Sequence, residues 1–257
     1  MSKLGVSYNC FDDSIDLLEG SIKSVRNVVD HVSVIYQDIS NMGNPADINI
    51  KDFLEDLKSK KLIDEYYKYK PQLNVPIPHL NELNKRNMGL YVAQNVKCTH
   101  FMSMDCDEYY KENELKDFYE EIVKENYDSS ACELQTYWKT GEWVLDPPEK
   151  YWVSLIYKIR PNIDYVMGYN FPVLVDPTRR MKPGNCKLAT REEIEMHHVS
   201  YVRKDFAKKL YNSSSISSFY DIIDDLITDF NNWKEGDLAY MPDRNKYKLR
   251  KVDNILK

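Results

Sequence analysis

Residues 4–8, Leu-Gly-Val-Ser-Tyr, form a short apolar run. It is followed by Asn9-Cys10-Phe11-Asp12-Asp13-Ser14, whose Asn, Asp and Ser side chains favour a loop that caps a helix. Ile15, Leu18, Ile22, Val25 and Val29 then recur at helical spacing as far as His31, and residues 32–36 return to an apolar strand. Strand, helix and strand in succession make a βαβ unit, whose ordinary solution is a parallel sheet with a right-handed crossover.

The alternation continues. Ile50, Phe53, Leu54 and Leu57 mark a second helix and residues 62–67 a strand. Pro71, Pro76 and Pro78 punctuate a connection, residues 81–96 predict a helix, and residues 99–104 form an apolar strand running into Asp105. Beyond it, Leu115, Phe118, Ile122 and Val123 predict a helix, and residues 131–138 and 143–145 a hairpin. Strands are expected over 151–159 and 194–202, a Pro-containing loop over 170–180, and helices over 203–211 and 219–233. The Lys-rich tail from Arg244 carries no pattern that assigns it. Without internal repeats or low-complexity linkers, the expectation is one α/β domain over residues 1–257, Rossmann-like, with a mostly parallel sheet flanked by helices.

Composition narrows the function. With 42% hydrophobic and 30% charged residues this is an ordinary globular chain, and no apolar run reaches the roughly 20 residues that cross a bilayer. Met1 leads directly into the first strand, so no cleavable leader is expected. A net charge of −6 argues against nucleic acid as a partner, since sequence-independent phosphate binding needs a basic surface. Five scattered cysteines without a CxxC pair suggest neither a zinc ribbon nor a disulfide framework, and fit a reducing compartment such as the cytoplasm.

The candidate chemistry sits at the end of the strand before Asp105. Ligands of open α/β sheets bind at the carboxyl ends of the strands. Asp105 and Asp107 are one residue apart, so continued strand geometry would turn both carboxylates to one face, where they could share a divalent cation. Such a Mg²⁺ or Mn²⁺ would bridge two phosphates and supply the positive charge that an acidic protein lacks. Glu108 extends the cluster, as a supporting or surface residue.

The run Asn84-Lys85-Arg86-Asn87-Met88-Gly89, followed by Thr99-His100-Phe101-Met102-Ser103-Met104-Asp105-Cys106-Asp107-Glu108, resembles GT-A fold glycosyltransferases of the family-2-like, DxD-containing kind. In these a helix rich in Arg, Asn and Ala precedes a strand ending in the acid motif. The resemblance covers about the first 110 residues and fades afterwards. It implies a nucleotide-sugar-binding half over 1–110 and an acceptor half over 111–257, with a UDP-sugar favoured as donor and a saccharide or other hydroxyl as acceptor. Ser7, Tyr8 and Asn9 at the end of the first strand, Asp38 beyond the second, Arg86 and Asp105 would then contact the donor, with Asp107 as principal metal ligand.

The family pattern also implies a histidine ligand from the C-terminal half. Adjacent His197 and His198 would face opposite sides of a strand, so one of them, His198 by preference, would reach the metal. Arg179 and Arg180 could steady a diphosphate through bidentate bonds. An inverting transfer needs a general base, for which Asp176 comes first, with Glu192, Glu193 and Glu195 as competitors. Trp138, Trp143 and Trp152 offer faces to an acceptor sugar or to the core. Two rivals remain: a sugar-phosphate nucleotidyltransferase, disfavoured because the loop after the first strand has two acids and no glycine, and a non-catalytic carbohydrate-binding protein of the same fold.

Overall fold

A computed structural model describes residues 2–75 and 77–256, so Met1, Pro76 and Lys257 lie outside the described residues. The first half is a run of parallel strands and helices: β1 (Leu4–Cys10), α1 (Ile15–Val25), β2 (His31–Tyr36), α2 (Ile50–Ser59), β3 (Glu65–Lys68), α3 (His79–Asn95) and β4 (His100–Asp105). There follow β5 (Glu108–Tyr109), α4 (Glu112–Lys124), β6 (Ser129–Trp138), β7 (Trp143–Asp146) and β8 (Trp152–Lys158). The last third holds β9 (Cys186–Leu188), β10 (Met196–Tyr201), α5 (Phe206–Tyr211), α6 (Ile223–Asn232), β11 (Ala239–Tyr240) and β12 (Lys246–Lys251).

The sheet runs β11-β12-β7-β6-β8-β4-β1-β2-β3, with β9 and β10 also paired to β6 and β5 paired to β10. β3, β2, β1 and β4 are mutually parallel, and β8 turns the direction by pairing antiparallel to both β4 and β6. The expected α/β class with a largely parallel sheet flanked by helices is what the chain adopts. β1 is buried on both faces, as a parallel strand between helical layers must be, which is why its sequence reads as an apolar run rather than an alternation.

Helix α3 lies close on β1 because Gly89 faces Ser7. A Cβ at residue 89 would sit 2.2 Å from Ser7 Oγ and 2.4 Å from Ser7 Cβ. Gly89→Ala should therefore force helix and sheet apart and cost about 1–3 kcal/mol, read as a lower urea midpoint. Ser7→Gly in the same chain should recover most of the loss; without that recovery the contact is not the cause.

Several boundaries differ from the sequence pattern. α1 stops at Val25 rather than continuing to His31, because Arg26 turns to Val29 O and Asp64, while Asp30 accepts a bond from Leu4 N. The expected helix over 219–233 begins as a 3₁₀ turn and becomes α-helical at Ile223. The tail contains β12, which pairs antiparallel with β7. β12 belongs to a separate apolar cluster around Trp138, Phe206, Leu226 and Phe230, where Phe206 and Phe230 stack at 4.1 Å. Trp138 is fully buried there, and Trp143 packs edge-on against Trp233. All five cysteines are free, and among the described residues no helix is long and apolar enough to cross a membrane.

Candidate functional site

The order β2-β1-β4 reverses the direction of winding at β1, and a crevice opens at such a switch point beyond the carboxyl ends of the strands. Here Asn9 of β1 lies in register with Asp105 of β4, and both line a cavity of about 660 Å³. Asp13, Gln37, Lys85, Asp107, His198, Arg203 and Lys209 also line it. The cavity thus gathers side chains from the two halves of the chain onto one sheet edge.

Strand geometry does not carry through the acid motif. β4 ends at Asp105, Cys106 and Asp107 form a turn, and Glu108 begins β5. Cys106 points inward, its thiol donating to Asn9 O at 3.2 Å, and this leaves both aspartates on the cavity wall.

Asp105 is held from behind by two arginines. Arg86 Nη2 lies 3.0 Å and Arg179 Nη2 2.6 Å from Asp105 Oδ2. Arg86 also donates to Ser103 Oγ and Thr178 Oγ1, and Arg179 grips both oxygens of Glu108. Burial would raise the Asp105 carboxyl, but Arg86 and Arg179 outweigh it and hold it well below the usual range. Glu108, 2% exposed, goes the other way: burial lifts it above an ordinary glutamate against the pull of Arg179. It is a buried ion-pair partner of Arg179, the supporting rather than the surface alternative.

Asp107 has its own set of cations. Arg203 is in direct contact, and Lys209 Nζ and His198 Nε2 each lie 3.9 Å from Asp107 Oδ2. Burial opposes ionisation, yet Arg203 and Lys209 keep this carboxyl well below the usual range. Burial lowers His198, more than Asp107 raises it, so its imidazole is neutral at pH 7. His197 turns to the opposite face, where Nδ1 meets the Tyr137 hydroxyl at 2.9 Å and burial lowers its pKa to about 4.

These donors do not fit Mn²⁺ or Mg²⁺ as arranged. Both aspartates already carry guanidinium partners, and among the described residues no group of three His, Cys, Asp or Glu is placed to hold an ion. A cation at Asp107 would have to displace Arg203, because two positive charges at one oxygen repel each other.

The other residues singled out in the sequence are spread around this centre. Ser7 and Tyr8 are buried in β1 beneath the cavity, and the Tyr8 hydroxyl accepts from Ser21 Oγ. Asp38 is half-exposed and bonded to Lys68 at 2.6 Å, so Gln37 rather than Asp38 faces the cavity. Arg180 donates to Val175 O and Tyr169 O, away from the acids. Asp176 caps a 3₁₀ turn by accepting from Thr178 N at 2.7 Å, and Glu195 is committed to Arg191. Neither lines the cavity.

Sequence reasoning missed Asp13, Lys85 and Lys209 as cavity residues. Asp13 lay in the loop leaving β1, which alone could have marked it; burial raises its carboxyl against Arg203 and Lys209. Lys85 stood inside the Asn84-to-Gly89 run, beside the arginine that drew attention. Lys209 carried no signal, being one of two adjacent lysines on α5.

No protein-family model matches the chain, and no curated protein matches it. Among solved structures it is similar to S. aureus TarS residues 1–349, with a TM-score of 0.48 at 12% identity, over 81% of this chain and 63% of that one. S. aureus TarS itself gives 0.47 at 12% identity, over 90% and 43%. TarS 1–349 in complex with UDP-GlcNAc gives 0.37 at 15% identity, over 52% and 35%. This chain spans less than two thirds of each of those chains.

Proposed function

We propose that the chain is a glycosyltransferase that moves a sugar from a nucleoside diphosphate sugar, with a UDP-sugar favoured, to a hydroxyl of a saccharide or similar acceptor. The observation that carries this reading is the Asn9–Asp105 pair at the switch point, opening onto a cavity large enough for such a donor. Asn9 and Gln37 offer amide groups at the ends of β1 and β2, and Arg203 and Lys209 supply positive charge toward a diphosphate. For an inverting transfer, Asp13 is one cavity carboxyl available to take the acceptor's proton, with Glu82 a second, since Asp176 and Glu195 are engaged elsewhere. No step is assigned to Mn²⁺ or Mg²⁺, because the chain's own cations already occupy the acids.

Thermal shift against UDP, GDP, CDP and their sugars tests the reading. A nucleotide held at 100 times its Kd should stabilise the fold by about 2.7 kcal/mol, raising Tm by roughly 5–10 °C, in EDTA as well as in Mn²⁺. Slow release of nucleoside diphosphate from the matching donor should follow. Pyrophosphate release from a nucleoside triphosphate would favour the nucleotidyltransferase instead. Sugar binding without any nucleotide response would leave only a carbohydrate-binding protein, and a response confined to Mn²⁺ would mean that Arg203 yields to a metal.

A further inference from the structure

Lys85 is 5% exposed on the sheet-facing side of α3, and it lines the cavity. Its ammonium has no hydrogen bond and no ion pair among the described residues, although Glu82 and Asp105 act on it from a distance. Asp105 cannot serve as its counter-ion, being engaged already by Arg86 and Arg179. Burial accordingly lowers the lysine's pKa. An unpaired ammonium in such a place costs folding energy that a methionine of similar length would not, so the charge is not there for stability.

Two more buried groups in the same wall lack partners: Asn9 Nδ2, a donor, and Gln37 Oε1, an acceptor. They come from β1 and from the residue after β2, two of the strands on which α3 packs. An unsatisfied cation, donor and acceptor facing one cavity describe a ligand that carries an oxyanion beside neutral hydrogen-bonding groups.

We propose that the Lys85 ammonium is the cavity's receptor for a phosphate oxyanion of the bound nucleotide. This rests on the donor reading above and adds to it a residue that binds rather than supports. Asn9 and Gln37 then meet the uncharged part of the same molecule. The ion pair forms only when ligand arrives, so Lys85 discriminates between a nucleotide and its nucleoside.

The test is calorimetric titration of the full chain with UDP, uridine and inorganic pyrophosphate, comparing the parent with Lys85→Met and, as a second variant, Lys85→Gln. Losing one charge-assisted contact should weaken UDP by about 10- to 100-fold and leave uridine unchanged. Lys85→Arg should recover part of the UDP affinity. Equal UDP affinity in parent and Lys85→Met, or an equal loss for UDP and uridine, would overturn the proposal while leaving the donor site intact. Lys85-dependent binding of pyrophosphate without binding of any nucleotide would keep the oxyanion receptor and remove the donor reading. A parent chain that binds none of the three overturns both.

Discussion

Arg179→Ala should lower stability by about 3–5 kcal/mol, because it strips the cation from a carboxylate that has no access to water. Arg179 Nη1 lies 3.1 Å from Glu108 Oε2, and its other terminal nitrogen bridges Glu108 to Asp105. Asp105 keeps Arg86 and a partly exposed face, whereas Glu108 loses its only salt-bridge partner among the described residues. The expected drop in Tm is roughly 6–20 °C for a chain of this size. Glu108 can limit the loss by taking up a proton, since burial already raises it. The penalty should therefore be smaller at pH 6 than at pH 8. The double variant Arg179→Met with Glu108→Leu should cost less than Arg179→Ala alone, because it removes the buried charge together with its partner. A single-variant loss under about 1 kcal/mol would show that the pair is solvated and energetically slack.

Acidification should destabilise the protein well before Asp105 or Asp107 is protonated. Burial lowers His100 and His197 to about 4, with Lys158 and Lys111 adding smaller contributions. In the unfolded chain a histidine titrates near ~6.5. Between these values the unfolded state binds protons that the folded state refuses. The stability of each neutral histidine is complete above ~6.5 and lost as the pH falls toward 4, on the order of 3 kcal/mol per residue. Asp105 and Asp107, held low by their arginines, add further losses only below the ordinary carboxylate range. Urea unfolding at pH 7, 5.5 and 4.5 should show a steady decline, and His100→Gln with His197→Gln should flatten it. A flat profile in the parent would mean that both imidazoles accept protons where they stand.

The residues that line the wall were legible where the signal is local. Apolar runs ending in Asn9 and in Asp105 fix two strand ends, and βαβ chirality makes their shared edge the ligand edge. What surrounds the acids was not legible, because it depends on register between distant strands. The motif's extension at Glu108 left a supporting and a surface role equally open until β5 paired with β10, placing it opposite His198. Arg203 and Lys209 reach Asp107 across about a hundred residues of chain, a distance over which periodicity says nothing. Asp176 looked like a free carboxylate because a Pro after an Asp reads only as a turn; that the same Asp caps the turn follows from the turn's geometry. The alternation of Tyr247 and Leu249 with charged neighbours was a strand signal in plain view, masked by the lysines around it.

Strand β6 carries β7 and β8 antiparallel and β9 and β10 parallel, and β10 in turn holds β5. A ribosome delivers β1 to β4 and the acid motif well before residues 186–201 emerge, yet Asp107 meets its cations only once β10 and α5 are in place. Closing that long loop is slow relative to forming the local βαβ units. The nascent chain therefore carries an acidic, half-built cleft for as long as synthesis of the last third takes, and a chain cut before β10 should keep the parallel strands but have no pocket.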